Sequence, residues 1–351
     1  MTGLTIDRAA DAEALFASAL AAQRQGRHHE AVRLLGQACQ LGHVGAMTLL
    51  GGQLMWGRGV RPDLPAGLRL MAQAADLGGG EACSILARVL ASGAAGRRDW
   101  ERALAHLQRG AEAGDPDCRD QLRLLADPTG APSRLTWAQL RRRVDLDAWR
   151  APPPLRALSE DPEVRAGEGF VARAVCDWII RRAKDRLTPA PVMADAVAGE
   201  VRAGVRTNSL AGFSLMVSDL VVQALRERLA AAAGVDVGCL EAPQALHYAP
   251  GEEYVPHFDF MDPELPEHAR SLARGQRSLT LLVYLNQGYQ GGETDFPRLG
   301  LRHKGRTGGL LMFRNLTADG RPDRRMLHAG LPPASGEKWL LSQWIRDRAQ
   351  P

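Results

Sequence analysis

The chain has 351 residues, with 44 Lys and Arg against 40 Asp and Glu, which gives a formal net charge of +4. Single hydrophobic cores rarely grow beyond about 250 residues, so this length predicts two domains, and a hydrophobic content of 45% is enough to fill both. The basic excess is small, thinly spread and not accompanied by a recognisable nucleic-acid-binding module, which argues against a nucleic-acid partner.

Cysteine usage and the amino terminus indicate the compartment. The five cysteines are odd in number and include no C-x-x-C pair, so neither a disulfide framework nor a zinc site is indicated, and free thiols in a reducing compartment are expected. Asp7 and Asp11 lie where a secretory signal needs a basic start and an apolar core. The longest apolar run, 279–285, is far shorter than the ~20 residues of a membrane span. We therefore expect a soluble, cytoplasmic protein that does not engage a membrane.

The first third of the chain repeats itself. Gly42, Gly78 and Gly114 follow one another at a step of 36 residues, and several apolar positions keep the same step. Apolar residues within each unit fall at helical spacing, and a glycine after every second helix suits a C-cap. A fixed period built from helix pairs predicts an α-solenoid. These units, over residues 12–126, resemble Sel-like repeats, which are relatives of tetratricopeptide repeats.

The next segment, residues 127–160, contains helix-breaking prolines and glycines, including Pro152–Pro154. It is interpreted as a Pro-rich linker that holds one helix between Trp137 and Trp149. Two further helices are predicted at Ala172–Arg186 and Leu215–Ala233, where apolar residues recur at helical spacing.

Beyond Ala242 the pattern changes to short apolar runs separated by Gly, Pro and Asn, which predicts strands. The runs are Ala245–Tyr248, Ser278–Leu285, Leu310–Phe313 and Trp339–Trp344. Such strands favour a closed or double-sheet architecture such as a jelly roll. The expected fold class is therefore α+β, with an α-solenoid of helix pairs followed by a double-stranded β-helix with flanking helices over residues 161–351.

A metal-binding pattern lies among these strands. His257 and Asp259 form an H-x-D pair, and residues two apart in an extended strand face the same way, so both side chains can reach one ion. His328, 69 residues after Asp259, is the candidate for a third ligand. Two His and one carboxylate on one face of an octahedron leave three positions open, as in non-haem Fe(II) oxygenases. The alternative is a chance pair made of a surface His and a loop Asp.

Lys338, ten residues after His328, adds a second indication. A dicarboxylate cosubstrate needs a cation at its far end, in a pocket that excludes water. A lone lysine is usually a solvated surface residue, but a lysine beside the apolar run 339–345 is less often so.

The segment from Gly169 to Asp347 resembles the prolyl 4-hydroxylase class of Fe(II)/2-oxoglutarate dioxygenases. The matching motifs, in chain order, are Arg206-Thr207, Y-x-x-G-x-x-Y-x-x-H-x-D from Tyr248 to Asp259, Tyr284-Leu285-Asn286, GGET-x-FP from Gly291 to Pro297, Asn315-Leu316, Asp319-Gly320, His328-Ala329-Gly330, and G-x-K-W from Gly336 to Trp339 followed by Trp344. So many matches in one order make the resemblance specific.

The resemblance implies a role for each matching residue. His257, Asp259 and His328 would hold Fe(II), and Lys338 would pair with the distal carboxylate of 2-oxoglutarate. O2 would be the other cosubstrate, and the resemblance allows ascorbate as a further ligand. The positions that line or bond 2-oxoglutarate are matched by Tyr248, Tyr284 and Thr294.

Positions near the substrate are matched by Tyr254, Trp344 and Arg277. For each aromatic residue the alternative is plain core packing. The chain departs from collagen-type members at Arg346, where they carry His, and at Pro333, where Val is usual. These departures leave the iron chemistry unaffected but argue against a collagen-like substrate.

The implied activity is hydroxylation of an unactivated C–H bond, coupled to conversion of 2-oxoglutarate and O2 into succinate and CO2. A prolyl or other residue of a protein is the expected substrate, and the repeats are expected to dock a protein or peptide partner. Two alternatives stay open: hydroxylation of a free amino acid or small metabolite, and a repeat adaptor whose barrel is non-catalytic. The adaptor is disfavoured because a non-catalytic barrel has no need of the three ligands and Lys338. The repeats could also serve only to stabilise or dimerise the enzyme.

Overall fold

The computed structural model describes residues 8–190, 194–197, 200–203 and 206–350. The described residues form two compact units. One runs up to Asp127 and includes 132–144, and the other consists of 128–131 and the chain from Asp145 onward. None of the described helices is long and apolar enough to cross a membrane.

The first unit is built from helices that each pack against the next one in sequence. They are α1 (Arg8–Arg24), α2 (His28–Gln40), α3 (Val44–Trp56), α4 (Leu64–Asp76), α5 (Gly80–Ser92), α6 (Trp100–Glu112), α7 (Pro116–Ala126) and α8 (Trp137–Arg143). Two of its apolar clusters are formed between helices, one centred on Leu35 and the other on Met71, both 0% exposed. The prediction of an α-solenoid made of helix pairs is confirmed.

The repeated glycines explain how each helix pair turns. Gly42, Gly78 and Gly114 lie just after α2, α4 and α6, with φ values of 88°, 86° and 97°. A residue with a side chain rarely adopts this left-handed conformation, whereas glycine adopts it readily and so ends the helix. The 36-residue period therefore reports one turn of the chain per repeat.

The single helix predicted between Trp137 and Trp149 is wrong, because the chain forms two. Helix α8 ends at Arg143, and Val144 is extended with ψ 114°. The carboxylate of Asp145 then accepts hydrogen bonds from the amides of Asp147 and Ala148, which begins α9 (Leu146–Arg150). An N-cap of this kind starts a new helix. The helix α9 belongs to the second unit.

The second unit contains the remaining helices and all the described strands. The helices are α9, α10 (Arg173–Lys184), α11 (Leu220–Ala233) and α12 (Ala269–Leu272). The strands are β1 (Arg156–Ser159), β2 (Val164–Gly167), β3 (Thr188–Pro189), β4 (Ala194–Val197), β5 (Glu200–Ala203), β6 (Ser209–Gly212), β7 (Gln244–Tyr248), β8 (Tyr254–His257), β9 (Arg277–Tyr284), β10 (Gln290–Gly291), β11 (Thr294–Phe296), β12 (Leu301–His303), β13 (Leu310–Arg314), β14 (His328–Gly330), β15 (Pro333–Ser335) and β16 (Lys338–Arg346).

Two antiparallel sheets carry the site. The larger has the strand order β1-β2-β13-β9-β16-β7-β6-β3, and the smaller has the order β12-β11-β14-β8. The pairs β10-β15 and β4-β5 form separate two-stranded ribbons. Phe296 of the smaller sheet shares one apolar cluster with Tyr248, Leu282, Phe313 and Leu340 of the larger sheet. A shared core between two antiparallel sheets is the architecture expected of a double-stranded β-helix.

The four predicted strands are confirmed as β7, β9, β13 and β16. Strands also occur before Ala242, and β1 lies inside the segment expected to be a linker. The sequence signal of β2 is weak because only Val164 and Ala166 of its four residues are buried. The helix predicted from Leu215 begins at Leu220 instead, because the Asp219 carboxylate accepts a hydrogen bond from the amide of Val222 and caps it there.

Candidate active site

Two short strands of the smaller sheet bring the candidate metal ligands together. His257 is the last residue of β8, and His328 is the first residue of β14, directly opposite it in the antiparallel pair. Asp259 lies in the bend that follows β8. One ligand atom from each of the three side chains falls within 4.8 Å of the others. The structure therefore assembles the predicted triad from the H-x-D pair and His328, which lies 69 positions after Asp259.

The two imidazoles are held so that Nε2 faces the centre of the triad. His257 Nδ1 lies 2.9 Å from the carbonyl of Val255, and His328 Nδ1 lies 3.0 Å from the carbonyl of Met326. Because a carbonyl only accepts, each Nδ1 carries the proton and each Nε2 keeps its lone pair. The Nε2 atoms lie 3.7 and 3.4 Å from the carboxylate oxygens of Asp259. Outer hydrogen bonds of this type orient metal-ligating histidines.

The protonation states also suit a metal ion. Burial and the nearby His328 lower the pKa of His257 to about 3. Burial alone raises the pKa of Asp259, but the two adjacent histidines together lower it by more than burial raises it. The net shift is therefore downward. At neutral pH the site therefore offers a neutral imidazole and an ionised carboxylate. All three side chains are about 5% exposed, so no layer of bulk water has to be displaced from between them.

A pocket opens beside the triad. Eight of the ten predicted site residues line it: Tyr248, Tyr254, His257, Asp259, Thr294, His328, Lys338 and Trp344. Its apolar wall comes from Leu246, Leu282 and Leu340. An apolar pocket with a few convergent polar groups is the usual form of a small-molecule site.

Lys338 is the most unusual residue of this pocket. Its side chain is 0% exposed, yet Nζ has no hydrogen-bond partner among the described residues. Burial lowers its pKa to about 7, and the nearby Lys304 adds to the effect while Glu293 opposes it. A buried cation without a hydrogen-bonded partner is costly, so such a group indicates a binding site for an anion.

Thr294 and Tyr284 are linked, but only one of them reaches the pocket. The Tyr284 hydroxyl lies 2.9 Å from Thr294 Oγ1 and also donates to the carbonyl of His303 at 3.4 Å. Tyr284 is fully buried against Gly305 and is not among the lining residues. It therefore contacts the pocket through Thr294, while Tyr248, 2% exposed, lines it directly.

Two of the three residues predicted near the substrate, Tyr254 and Trp344, line the pocket. The Tyr254 ring stacks on His257, with centroids 3.4 Å apart and planes 13° apart. Trp344 of β16 also lines the pocket, and the Arg277 guanidinium lies 3.7 Å from the centroid of its ring. Arg277 itself does not line the pocket, because Glu241 holds it with hydrogen bonds of 2.8 and 3.0 Å.

Some lining or contacting residues were not predicted. Arg206 lines the pocket with its guanidinium 4.4 Å from the Tyr254 ring centroid, although Arg206-Thr207 carried no assigned role in the sequence. Ser342 also lines it. The Thr280 hydroxyl donates to Asp259 Oδ2 at 2.7 Å. The available signal for Thr280 was a polar residue inside the apolar run 278–285.

Comparison with known proteins gives a consistent assignment. Residues 243–346 match the family model of the 2OG-Fe(II) oxygenase superfamily. The chain is 34% identical over 217 residues to Probable prolyl 4-hydroxylase 6 of Arabidopsis thaliana, which covers 56% of this chain and 74% of that protein. The prolyl 4-hydroxylase subunit alpha-1 of Bos taurus is 34% identical over 130 residues, which cover 37% of this chain and 24% of that protein.

Among solved structures, the viral collagen prolyl hydroxylase vCPH from Paramecium Bursaria Chlorella virus-1 aligns with 27% identity and a TM-score of 0.40, covering 52% of this chain and 95% of that one. A Sel1 repeat protein from Oxalobacter formigenes aligns with 18% identity and a TM-score of 0.32, covering 42% of this chain and 64% of that one. Given the identity to the Arabidopsis protein and the match to the family model, the chain belongs to the prolyl 4-hydroxylase family of 2OG-Fe(II) oxygenases and is a dioxygenase that depends on Fe(II) and 2-oxoglutarate.

Proposed function

We propose that this enzyme hydroxylates a prolyl or other residue of a protein, with His257, Asp259 and His328 as the iron ligands and Lys338 as the partner of the distal carboxylate of 2-oxoglutarate. The observation that carries the proposal is the buried ammonium group of Lys338 in the same pocket as the triad. A metal site alone would not require that cation, whereas a site that binds a metal and a dicarboxylate requires both.

The residues present fit the two groups. Two imidazole nitrogens and one carboxylate are the donor set of non-haem Fe(II) oxygenases, and three ligands leave positions for a cosubstrate. The Lys338 ammonium group can donate a charge-assisted hydrogen bond, and no described residue accepts one from it. A carboxylate placed at Nζ would restore the charged form of the lysine, because an adjacent anion raises its pKa.

When bound, iron and 2-oxoglutarate would supply, together with O2, the oxidising chemistry that inserts one oxygen atom of O2 into a C–H bond. The chain's own residues bind, orient and exclude water. Asp259 stays ionised and His257 stays neutral, so neither must lose a proton before it can act as a ligand. Leu246, Leu282 and Leu340 form the apolar wall, which keeps water away from the reacting groups.

Tyr248 and Thr294 are proposed to position 2-oxoglutarate. The Tyr248 side chain is buried, and burial raises its pKa to about 12, so its hydroxyl remains a donor at neutral pH. Thr294 offers a second hydroxyl, which Tyr284 orients from behind. Tyr254 and Trp344 are proposed to contact the substrate because both line the pocket that holds the triad.

A protein substrate is proposed from two features. The relative that this chain matches over 74% of its length is described as a probable prolyl 4-hydroxylase. Helical repeat arrays commonly present extended surfaces that bind proteins or peptides, and a second binding surface raises the local concentration of substrate. An oxygenase of a free amino acid or small metabolite has no evident need of such an array.

The proposal is tested with ligand variants and a matched control. His257→Ala, Asp259→Ala and His328→Ala should abolish Fe(II)-dependent succinate formation, whereas Asp295→Ala should not. Asp295 is a carboxylate of the same smaller sheet, but it pairs with Arg302 instead of the triad. Normal turnover in the three ligand variants would refute the site.

The substrate is tested in a lysate of the source cells incubated with the enzyme, Fe(II) and 2-oxoglutarate. Peptides that gain the mass of one oxygen atom with the active enzyme, and not with Asp259→Ala, identify a protein substrate and the oxidised residue. Oxidised small molecules without oxidised peptides would support the metabolite alternative. Absence of any iron-dependent product together with a captured partner would support the adaptor.

A further inference from the structure

Asp259 is part of a buried chain of hydrogen bonds that reaches into the larger sheet. Thr280 Oγ1 lies 2.7 Å from Asp259 Oδ2, and Asn315 Nδ2 lies 2.9 Å from Thr280 Oγ1. Thr280 and Asn315 are each 1% exposed, so water does not compete for either hydrogen bond. These two residues lie outside the motif that supplies the three metal ligands.

The direction of the chain follows from the chemistry of its members. A carboxylate that binds a metal is ionised and can only accept, so the single hydroxyl proton of Thr280 points to Asp259. The lone pairs of the Thr280 oxygen are then available to the amide nitrogen of Asn315, which can only donate. Each group therefore has one role, and reversing either hydrogen bond would leave Asp259 without this donor.

Both outer residues are fixed by backbone pairing. Thr280 lies inside β9, opposite Phe313 of β13 on one side and Trp344 of β16 on the other. Just beyond β13, the backbone N–H of Asn315 donates to the backbone carbonyl of Ser278. The backbone carbonyl of Asn315 accepts from the backbone N–H of Asp323. Asp259, in contrast, lies in a bend outside any strand. The hydrogen bonds thus connect a ligand on a bend to two residues that the larger sheet holds in place.

We infer that Thr280 and Asn315 are positioning residues that orient the Asp259 carboxylate for metal binding. This inference rests on the proposed role of Asp259 as an iron ligand. By donating to Oδ2, Thr280 restrains rotation of the Asp259 carboxylate plane and occupies one lone pair of Oδ2. Removing a group that holds a metal ligand in this way typically lowers metal affinity or activity by about 10- to 100-fold.

A purely structural role makes a different prediction. If the two hydrogen bonds only joined β9 to the bend after β8 and to the residues after β13, their loss would lower the stability of the fold and leave the affinity and geometry of the metal site unchanged. The test must therefore read the metal itself, with the folded full-length protein and without turnover. Co(II) is a suitable probe, because its visible absorption reports ligand geometry.

The variants are Thr280→Val, which removes the hydroxyl at nearly constant volume, Thr280→Ser, which restores it, and Thr188→Val, which removes a hydroxyl from an exposed position of the same sheet. We expect Thr280→Val to weaken Co(II) binding by about 10- to 100-fold and to alter the Co(II) spectrum. Thr280→Ser should recover most of the affinity, and Thr188→Val should match the unaltered protein. If Thr280→Val binds Co(II) with unchanged affinity and spectrum, the inference is wrong.

Asn315→Leu provides a second measurement in case Thr280→Val does not fold. It removes the donor to Thr280, so it should also weaken Co(II) binding. An unchanged affinity would again contradict the positioning role. Asp259→Ala separates the two levels of the argument. If that variant keeps full Co(II) affinity, the proposed metal site itself fails, whereas a loss in Asp259→Ala with no effect in Thr280→Val and Asn315→Leu rejects only the positioning role.

Discussion

The ammonium group of Lys338 lies 4.8 Å from the centroid of the Tyr248 ring, and the two residues are paired directly across β16 and β7. An aromatic face attracts a cation but offers no lone pair in the manner of a carboxylate. The pairing therefore leaves the buried charge only partly compensated. It also places the charge in the pocket that holds the triad, where an anionic ligand can complete the compensation.

The first prediction concerns Lys338→Met. Without ligand, this change should raise the free energy of unfolding by a few kcal/mol, because it replaces an unpaired buried cation with an apolar chain of similar length. The same change should weaken 2-oxoglutarate binding by at least about 100-fold, since the distal carboxylate loses its partner. Urea denaturation and calorimetric titration of 2-oxoglutarate in the presence of Mn(II) measure the two effects.

Lys184→Met is the matched control, because Lys184 is an exposed lysine of the same unit. It should change neither quantity appreciably. A destabilised Lys338→Met protein that still binds 2-oxoglutarate would show that the lysine has a structural role only.

The second prediction concerns the pH dependence of that stabilisation. Burial lowers the pKa of Lys338 from an ordinary value of 10.5 to about 7 in the folded protein. Between these values the unfolded chain binds a proton that the folded chain does not, so the stability contributed by this residue rises as pH rises. Each unit of pKa difference corresponds to about 1.4 kcal/mol.

The advantage of Lys338→Met over the unaltered protein should therefore be largest below pH 7 and should vanish above about pH 10.5, when the lysine is neutral in both states. Unfolding curves of the two proteins across this range, without 2-oxoglutarate, provide the measurement. If the stability difference between Lys338→Met and the unaltered protein does not depend on pH, the charge of Lys338 does not destabilise the folded protein.

The fold and the site were predictable to different extents. His257, Asp259, His328 and Lys338 could be identified because local spacing and a resemblance mark them, and the structure brings all four to one pocket. Tyr284 could not be separated from the lining residues, because a motif gives a position in the chain but not the direction in which a side chain points. The structure shows Tyr284 behind Thr294 instead.

Contacts between distant strands were harder to foresee. Thr280 and Asn315 are 35 residues apart, and their hydrogen bond depends on the register of β9 against β13, which the sequence does not specify. The break at Val144 was missed for the opposite reason, since helical periodicity continues through it. There a single capping residue, Asp145, outweighed the periodic pattern.

The third prediction concerns Arg346, where collagen-type relatives carry His. Its side chain is 4% exposed and donates to Glu241 at 2.8 Å, to the Ser271 carbonyl at 2.7 Å and to the Gly275 carbonyl. A histidine is too short to reach all three acceptors. Arg346→His should therefore lower the free energy of unfolding by about 1–3 kcal/mol, because the Gly275 carbonyl loses its donor and the Glu241 carboxylate keeps only Arg277.

Arg348→His is the control, since the Arg348 side chain is 64% exposed and follows on the same terminal segment. Denaturant unfolding of both variants measures the difference. Equal stability in Arg346→His and the unaltered protein would show that the arginine is retained for another reason, such as contact with a substrate that differs from collagen.

The last prediction concerns the repeats, and the structure indicates where to separate them. Helix α9 packs on α11, Arg150 Nε lies 2.5 Å from Glu227, and Arg228 donates to the carbonyls of Ala148 and Trp149. A chain that begins at Asp145 keeps these contacts. It should bind Fe(II) and consume 2-oxoglutarate slowly without substrate, but hydroxylate the native target poorly at low target concentration. Raising the target concentration should restore the rate, because docking acts through local concentration. If the shortened enzyme matches the full chain at low target concentration, the repeats do not dock the substrate. If its rate falls equally at every concentration and its stability falls with it, the repeats stabilise the enzyme instead.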